Sequence, residues 1–333
     1  MVAQVDSDYI RTRPSKLFAR LVSYCLFEGR PLTTRGQWIN PLVFFHFSIE
    51  KRLPQLKEVR RPIFILGTGR SGTTVLGVVL SMHKEVGFLN EPKALWHSIY
   101  PHEDLIGSYS RGRASYRLNE SDVSDDVLKS AKRLFGAYLA SSFSKRLVDK
   151  YPELIFRVPF VKKLFPDATF LFLVRNGWDT CHSIDGWSAR LGEQKNGEVH
   201  DWWGVNNRKW RFLVEQIIPE HEDLAPHAEK MSSWTNHVDM AAAEWIVTMR
   251  EGVRLERDFP DDVLRVNYES LCAAPKSTML SIIDFCQLPS NDDVFFRYAE
   301  STLCSVDAKK PFSLAKEIEV PFHETMKLLG YLS

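Results

Sequence analysis

The sequence predicts an α/β protein built on a central parallel sheet flanked by helices. Two continuous apolar runs carry that prediction, Pro62-Ile63-Phe64-Ile65-Leu66 and Thr169 to Val174. Both are too short for a buried helix and neither alternates, as expected of strands covered on both faces. A glycine-rich turn leading into a helical stretch follows the first run, and strand-like and helix-like segments then alternate towards the C-terminus. The 333 residues suffice for one large domain of this class. The reading divides them into an N-terminal helical extension, residues 1–58, and a main domain, residues 59–333.

Within the extension, residues 14–28 and 37–53 mix Leu17, Phe18, Leu21, Trp38 and Phe45 with Lys16, Arg20, Lys51 and Arg52. Amphipathic stripes of this kind mostly face a core, so packing on the main domain is expected; a peripheral membrane contact stays open. A helix is expected over about Gly72 to Met82. Residues 102–123 are polar and read as a long surface loop, a candidate substrate lid. Ser124, with Asp125 and Asp126 behind it, is a plausible N-cap for a helix running to about Val148. A short strand is expected at Leu154-Ile155-Phe156, then a helix from Val158 to Phe165 stopped by Pro166. Further helices are expected from about Asp179, over Val238 to Arg257, over Pro275 to Phe285 and around Glu317 to Leu329, with a strand at Val263 to Val266. Residues 186–233, rich in Trp and His, receive no assignment.

Composition narrows the function. With 43 basic and 42 acidic residues the net charge is +1, so no bulk field attracts nucleic acid, and any anion must be held by a local cluster of donors. The five cysteines are scattered, with no C-x-x-C pair, which argues against a disulfide framework or a zinc site. No metal is therefore expected, and the compartment is expected to be reducing and cytoplasmic. No run approaches the roughly 18 apolar residues of a membrane span, and the first residues lack a signal-peptide core. Oligomeric state is not legible, and a homo-oligomer stays open.

The strongest chemical signal is Gly67-Thr68-Gly69-Arg70-Ser71-Gly72-Thr73-Thr74. It lies between a buried strand and a helix, where a phosphate loop belongs. Glycines let successive backbone N–H groups converge on an anion, and the helix N-terminus adds its positive dipole end. A Walker A loop reads G-x-x-x-x-G-K-[ST]. Gly67 and Gly72 keep that spacing, but Thr73 stands where the lysine belongs and Arg70 supplies a different cation. The loop suits a phosphate-type anion without the usual arrangement for Mg-ATP.

Arg70-Ser71-Gly72-Thr73-Thr74 resembles the 5′-phosphosulfate loop of the sulfotransferases that use 3′-phosphoadenosine 5′-phosphosulfate (PAPS), commonly [KR]-[ST]-G-[ST]-[ST]. Three further segments extend the resemblance over roughly Pro62 to Pro311. Arg175, just past the second apolar strand, and Ser183, eight residues on, have the spacing of the family's 3′-phosphate pair. Val266-Asn267-Tyr268-Glu269-Ser270-Leu271 resembles an element whose tyrosine lies near the nucleotide. Ser305 to Pro311 resembles a closing segment of the tyrosylprotein sulfotransferase branch. The resemblance implies a P-loop NTPase-like sulfotransferase fold, with PAPS as donor and adenosine 3′,5′-bisphosphate (PAP) as product. It implies cofactor contacts from Gly69, Arg70, Ser71, Gly72, Thr73, Thr74, Arg175, Ser183, Tyr268 and Lys310, and catalytic roles for Lys150 and Ser305.

Sulfuryl transfer is an in-line displacement at sulfur. It needs cations at the leaving and equatorial oxygens and a base for the acceptor hydroxyl. Arg70 is the candidate at the leaving side. Glu91, just beyond a second short strand and 21 residues after Arg70, is the candidate base, and the matched branch has a glutamate base at this spacing. Burial is expected to raise its pKa. His83, His97 and His102 are rival bases. Regions 93–148 and 186–240 show no match to the branch, so the acceptor is expected to be a glycan or small molecule bearing a hydroxyl, with Trp96, Trp187, Trp202, Trp203, Trp210 and Trp234 as candidate stacking surfaces. The competing readings are a P-loop kinase or NTPase and a non-catalytic nucleotide-binding module.

Overall fold

The computed structural model describes residues 4–32, 34–195, 197–304 and 308–332. Five strands form one parallel sheet: β1 (Ile63–Gly67), β2 (Val86–Asn90), β3 (Arg146–Lys150), β4 (Thr169–Val174) and, after three short strands described below, β8 (Val263–Asn267). Their order is β2-β3-β1-β4-β8, with β1 in the middle.

Alternating side chains divide the core between the two faces. Phe170, Phe172 and Val174 of β4 point to one side, under the helices Asp125–Ser141 and His237–Asp258, and Leu171 and Leu173 point to the other, under Thr73–Ser81 and Pro275–Phe285. Burial on both faces explains why β1 and β4 read as unbroken apolar runs. The strands β5 (Glu193–Lys195), β6 (Glu198–Asp201) and β7 (Gly204–Val205) form a small antiparallel sheet in the segment that the pattern left unassigned.

The N-terminal residues belong to the same core. Phe27, Val43 and Phe47 are buried in the cluster that holds Phe64 and Leu66 of β1. They also cover the open edge of β2. Lys16 donates to the carbonyl oxygen of Val86 (2.8 Å), Arg20 to that of Phe88 (3.2 Å), and the Glu28 carboxylate accepts the N–H of Asn90 (2.8 Å). Side chains thus satisfy alternate residues of an edge that a strand would otherwise pair.

Three expectations need correction. The helix begun by Ser124, whose hydroxyl accepts the N–H of Val127, ends at Ser141, and β3 occupies Arg146–Lys150. Its sequence, Arg-Leu-Val-Asp-Lys, hides a strand because two charged residues, Asp149 and Lys150, are buried in it. Leu154, Ile155 and Phe156 lie in a 3-10 helix, Pro152–Arg157, rather than a strand. The segment 102–123 is packed down instead of forming a surface lid. Leu105, Ala114, Tyr116 and Leu118 are buried, and the Asp104 carboxylate accepts four successive backbone N–H groups, Gly107 to Ser110, at 2.6–3.1 Å.

Candidate active site

Each strand of the main sheet delivers a candidate residue at or just past its C-terminal end: the loop after Gly67, Glu91 after Asn90, Lys150, Arg175 after Val174, and Tyr268 after Asn267. This edge is where open α/β sheets bind ligands. A cavity of about 400 Å³ opens there, lined by Gly69, Arg70, Thr74 and Glu91 among others.

The phosphate loop is held by its own backbone. Ser71 donates from both N–H (3.2 Å) and hydroxyl (2.6 Å) to the carbonyl oxygen of Thr68. Gly72 has φ +100°, and a Cβ there would lie 2.3 Å from the Tyr268 ring; a Cβ on Gly69 would lie 2.3 Å from the Trp202 ring. Both positions require glycine because aromatic rings approach the backbone that closely.

Arg70, Arg175, Ser183 and Tyr268 meet. Arg70 Nε donates to Ser183 Oγ (3.1 Å), Arg175 Nη1 donates to the Arg70 carbonyl oxygen (3.2 Å), and the Arg175 guanidinium lies 4.5 Å over the Tyr268 ring. Burial lowers the Arg70 pKa, and neighbouring Arg190 and Arg175 add to the effect. Arg175 Nε is buried with no hydrogen-bond partner. Two neighbouring guanidiniums, one with an unused donor, suit an anion. Glu269 ties the surroundings together by accepting the N–H of Asn176 (3.0 Å) and the hydroxyl of Tyr331 (2.6 Å).

Lys310 lies against the same helix, Gly177–Leu191. Its carbonyl oxygen is 3.0 Å from His182 Nε2, and the N–H of Lys309 reaches Asp179 at 2.6 Å. The Lys310 side chain is exposed. Ser305 lies outside the described residues.

Glu91 and Lys150 form an ion pair. The register of β2 and β3 pairs Asn90 with Lys150, and the N–H of Glu91 continues the ladder to the Lys150 carbonyl oxygen (2.7 Å). Glu91 itself sits at φ +49°, turning out of the strand. Lys93 lies 3.5 Å from the second Glu91 oxygen. Burial alone pushes the Glu91 carboxyl up, but Lys150, Lys93 and Lys209 outweigh it and hold the pKa at about 2. The expected upward shift is therefore reversed, because the sequence pattern did not place three ammonium groups around this carboxylate.

The chain of charges continues along the cavity wall. Lys93 and Lys209 both lie 3.6 Å from Glu153, and Lys209 pairs with Glu244 at 2.5 Å. Glu244 also accepts Trp202 Nε1 (2.8 Å), and Lys209 lies 4.8 Å over the Trp202 ring. Together with Lys150 and Glu91 this makes three ammoniums and three carboxylates, balanced in charge. Lys93, Glu153, Lys209 and Glu244 were missed from sequence. They come from four separate elements, and no local spacing marks them as a group.

The rival histidines are directed elsewhere. His83 Nε2 contacts the Pro289 carbonyl oxygen at 2.9 Å, His97 packs against Phe44 and Tyr109, and His102 contacts the Arg113 carbonyl oxygen. His200, not singled out from sequence, does line the cavity. Of the tryptophans, Trp96, Trp203 and Trp210 are core residues, Trp234 stacks on Trp210, and Trp187 and Trp202 face the cavity.

A parallel sheet with a phosphate loop after its middle strand defines the P-loop-like class of nucleotide-binding proteins. Residues 62–216 match the model of the Sulfotransferase family. The chain is 26% identical over 236 residues to a protein-tyrosine sulfotransferase of Drosophila melanogaster, covering 70% of this chain and 39% of that protein. It is 31% identical over 235 residues to protein-tyrosine sulfotransferase 2 of Gallus gallus, covering 70% and 52%. The chain thus spans about half or less of these relatives. Among solved structures, the sulfotransferase domain from the curacin biosynthetic pathway shares the fold at TM-score 0.51 and 16% identity, covering 83% of this chain and all of that one. Sulfotransferase STF9 from Mycobacterium avium does so at TM-score 0.51 and 14% identity, covering 99% and 93%. Over these residues the chain is similar to sulfotransferases, and the relatives named above are protein-tyrosine sulfotransferases.

Proposed function

We propose that this protein transfers the sulfuryl group of PAPS to an acceptor hydroxyl. The observation that carries the proposal is one sheet edge holding both halves of the required chemistry: an anion loop with two arginines, and a carboxylate–ammonium pair, with Arg70 and Glu91 lining one cavity. The backbone and hydroxyls of Gly69 to Thr74 would hold the 5′-phosphosulfate. Arg175 and Ser183 would hold the 3′-phosphate, with Tyr268 and Lys310 beside the nucleotide. The unused Arg175 Nε fits that assignment.

In the transfer step the acceptor oxygen attacks sulfur as the bond from sulfur to the bridging phosphate oxygen breaks. That oxygen leaves on PAP with the electron pair, facing Arg70 and the Lys150 ammonium. Glu91 takes the hydroxyl proton. With a pKa near 2 it is a weak base while paired, so the proton moves late, after sulfur has acidified the attacking oxygen. Any turn of Lys150 towards the donor removes the strongest partner of Glu91 and raises its basicity.

The acceptor would occupy the part of the cavity between Glu91, Trp187 and Trp202. A charge-balanced wall with flat rings suits a neutral, hydroxyl-bearing glycan or small molecule, and about 400 Å³ lies within the range of sites that enclose small ligands. The proposal includes a reducing, cytoplasmic setting, with which five free cysteines agree. The test is transfer of labelled sulfate from PAPS across saccharides, phenols and tyrosine peptides, with PAP release followed in parallel. Saccharide or small-alcohol labelling is expected. Absence of both PAP binding and transfer would sink the reading.

A further inference from the structure

The N-terminal layer has two apolar faces, and only the inner one is used. Inward, Phe27, Val43 and Phe47 are buried. Outward, Trp38 (78% exposed), Leu42 (61%), Phe45 (64%) and Ile49 recur at helical spacing along Gln37–Glu50. A helix apolar on all sides is normally enclosed; here one side faces solvent. Further apolar side chains of the layer are exposed. Phe18 and Leu21 are exposed on the helix Ser15–Val22, and the Phe18 ring lies 5.9 Å from that of Phe143, which is 81% exposed. The layer is fixed in place, because Arg133 donates to the Lys51 carbonyl oxygen and Lys57 to that of Ser144. An apolar face of this extent marks an interaction site.

Charge selects the occupant. Most basic side chains of the first 58 residues are turned inward or pinned: Lys16, Arg20 and Arg30 are buried, Arg13 pairs with Asp292 and Lys51 donates to the Ser98 carbonyl oxygen. Arg35 and Arg52 flank the stripe in sequence and, among the described residues 15–56, are the charged side chains left exposed. The acids of that stretch are withdrawn, Glu28 being buried with Arg20 and Glu50 largely covered. In a two-fold dimer through this face the same two arginines of each copy would meet with no exposed acid to pair them. Aromatic and aliphatic side chains bracketed by arginine are instead the chemistry of an interfacial element on an anionic bilayer. Among the described residues no helix is long and apolar enough to cross a membrane, so the element would lie on the surface.

We propose that the outer face of residues 15–56 docks on an anionic membrane. It is independent of the catalytic reading, because Trp38, Leu42, Phe45 and Ile49 do not line the cavity.

The test is cosedimentation of the full chain with phosphatidylcholine vesicles, with and without phosphatidylserine. Binding is expected with phosphatidylserine and should weaken as salt rises. The double variant Leu42→Ser/Phe45→Ser should lose about tenfold or more in partitioning, with an unchanged melting curve because both side chains are already in solvent. Should that variant misfold, Arg35→Gln/Arg52→Gln carries the test, with an expected loss of about fivefold per charge. Failure to bind anionic vesicles at low salt overturns the proposal, as does equal binding by a folded variant. A concentration-dependent dimer abolished by the serine variant would assign the face to a second copy and overturn it as well.

Discussion

Arg70 Nε donates to Ser183 Oγ at 3.1 Å, joining the phosphate loop to a helix 113 residues further on. The contact brings the two ends of the proposed nucleotide site to one place through the protein alone. A ligand arriving there meets a guanidinium already oriented, which reduces the ordering cost of binding.

Arg175→Ala should weaken PAP binding by about 1.5–3 kcal/mol, the value of a hydrogen bond to a charged group. Calorimetry would read this as a loss of roughly 10- to 150-fold. Turnover at saturating PAPS should change much less. Arg70→Ala should show the opposite pattern, with turnover falling more than affinity. Unchanged PAP affinity in the Arg175 variant removes its assigned role.

Glu91→Gln should lower kcat by about 10²- to 10⁴-fold, the range of a lost general base, while PAP affinity stays within a few-fold. The carboxyl is held at about 2, so it is ionised throughout the working range, and its activity should be lost only as pH falls towards 2. A kcat/KM profile, which reports the free protein, is therefore expected to be flat from neutral pH down to the onset of acid unfolding. Turnover that survives Glu91→Gln but is lost in His200→Gln would move the base to that histidine.

Gly72→Ala should cost about 1–2 kcal/mol from its left-handed backbone alone, and the added methyl must displace the Tyr268 ring. Thermal melting and PAP binding should both deteriorate. Gly69→Ala has no positive φ but collides with Trp202, so its defect should be relieved in the double variant Gly69→Ala/Trp202→Ala. Persistence of the full defect there would mean that the ring is not the obstacle.

Asp292 accepts from Arg13 (2.9 Å) and from the N–H groups of Lys84 and Phe295. Burial pushes its carboxyl up, but these donors prevail and hold it at about 2. The folded pKa lies below the unfolded one, so the unfolded state binds more protons as pH falls. The stabilisation is complete above about pH 4 and fades as pH drops from there through 2. It amounts to about 2 kcal/mol. Urea unfolding should show Asp292→Asn less stable by that amount at pH 7, with the gap narrowing below pH 4. A gap independent of pH would refute the linkage.

The nucleotide half of the candidate site was legible because local sequence builds it. Gly67 to Thr74 announces itself between an apolar strand and a helix, and Arg175 to Ser183 has a fixed spacing on one strand–helix junction. The acceptor half was not. Glu91 could be named, but its environment could not, since Lys93, Glu153, Lys209 and Glu244 converge only through tertiary packing. The expected helix to Val148 overruns the first part of β3, because a strand containing buried Asp149 and Lys150 breaks the apolar pattern that marks strands. Leu154 to Phe156 failed for the converse reason: three apolar residues fit a 3-10 turn packed in the core as well as a strand.

The hold of Lys16, Arg20 and Glu28 on the rim of β2 bears on how the protein can be shortened. The amide that Glu28 accepts belongs to Asn90, one residue from Glu91. A version trimmed to begin at residue 59 would keep every motif of the phosphate loop, yet it would bare a strand whose free hydrogen-bonding groups invite stacking between molecules. It would also release the backbone that aims the carboxylate. Such a fragment should precipitate or bind nucleotide without turning over, and the smallest version expected to perform the proposed transfer includes the first helices.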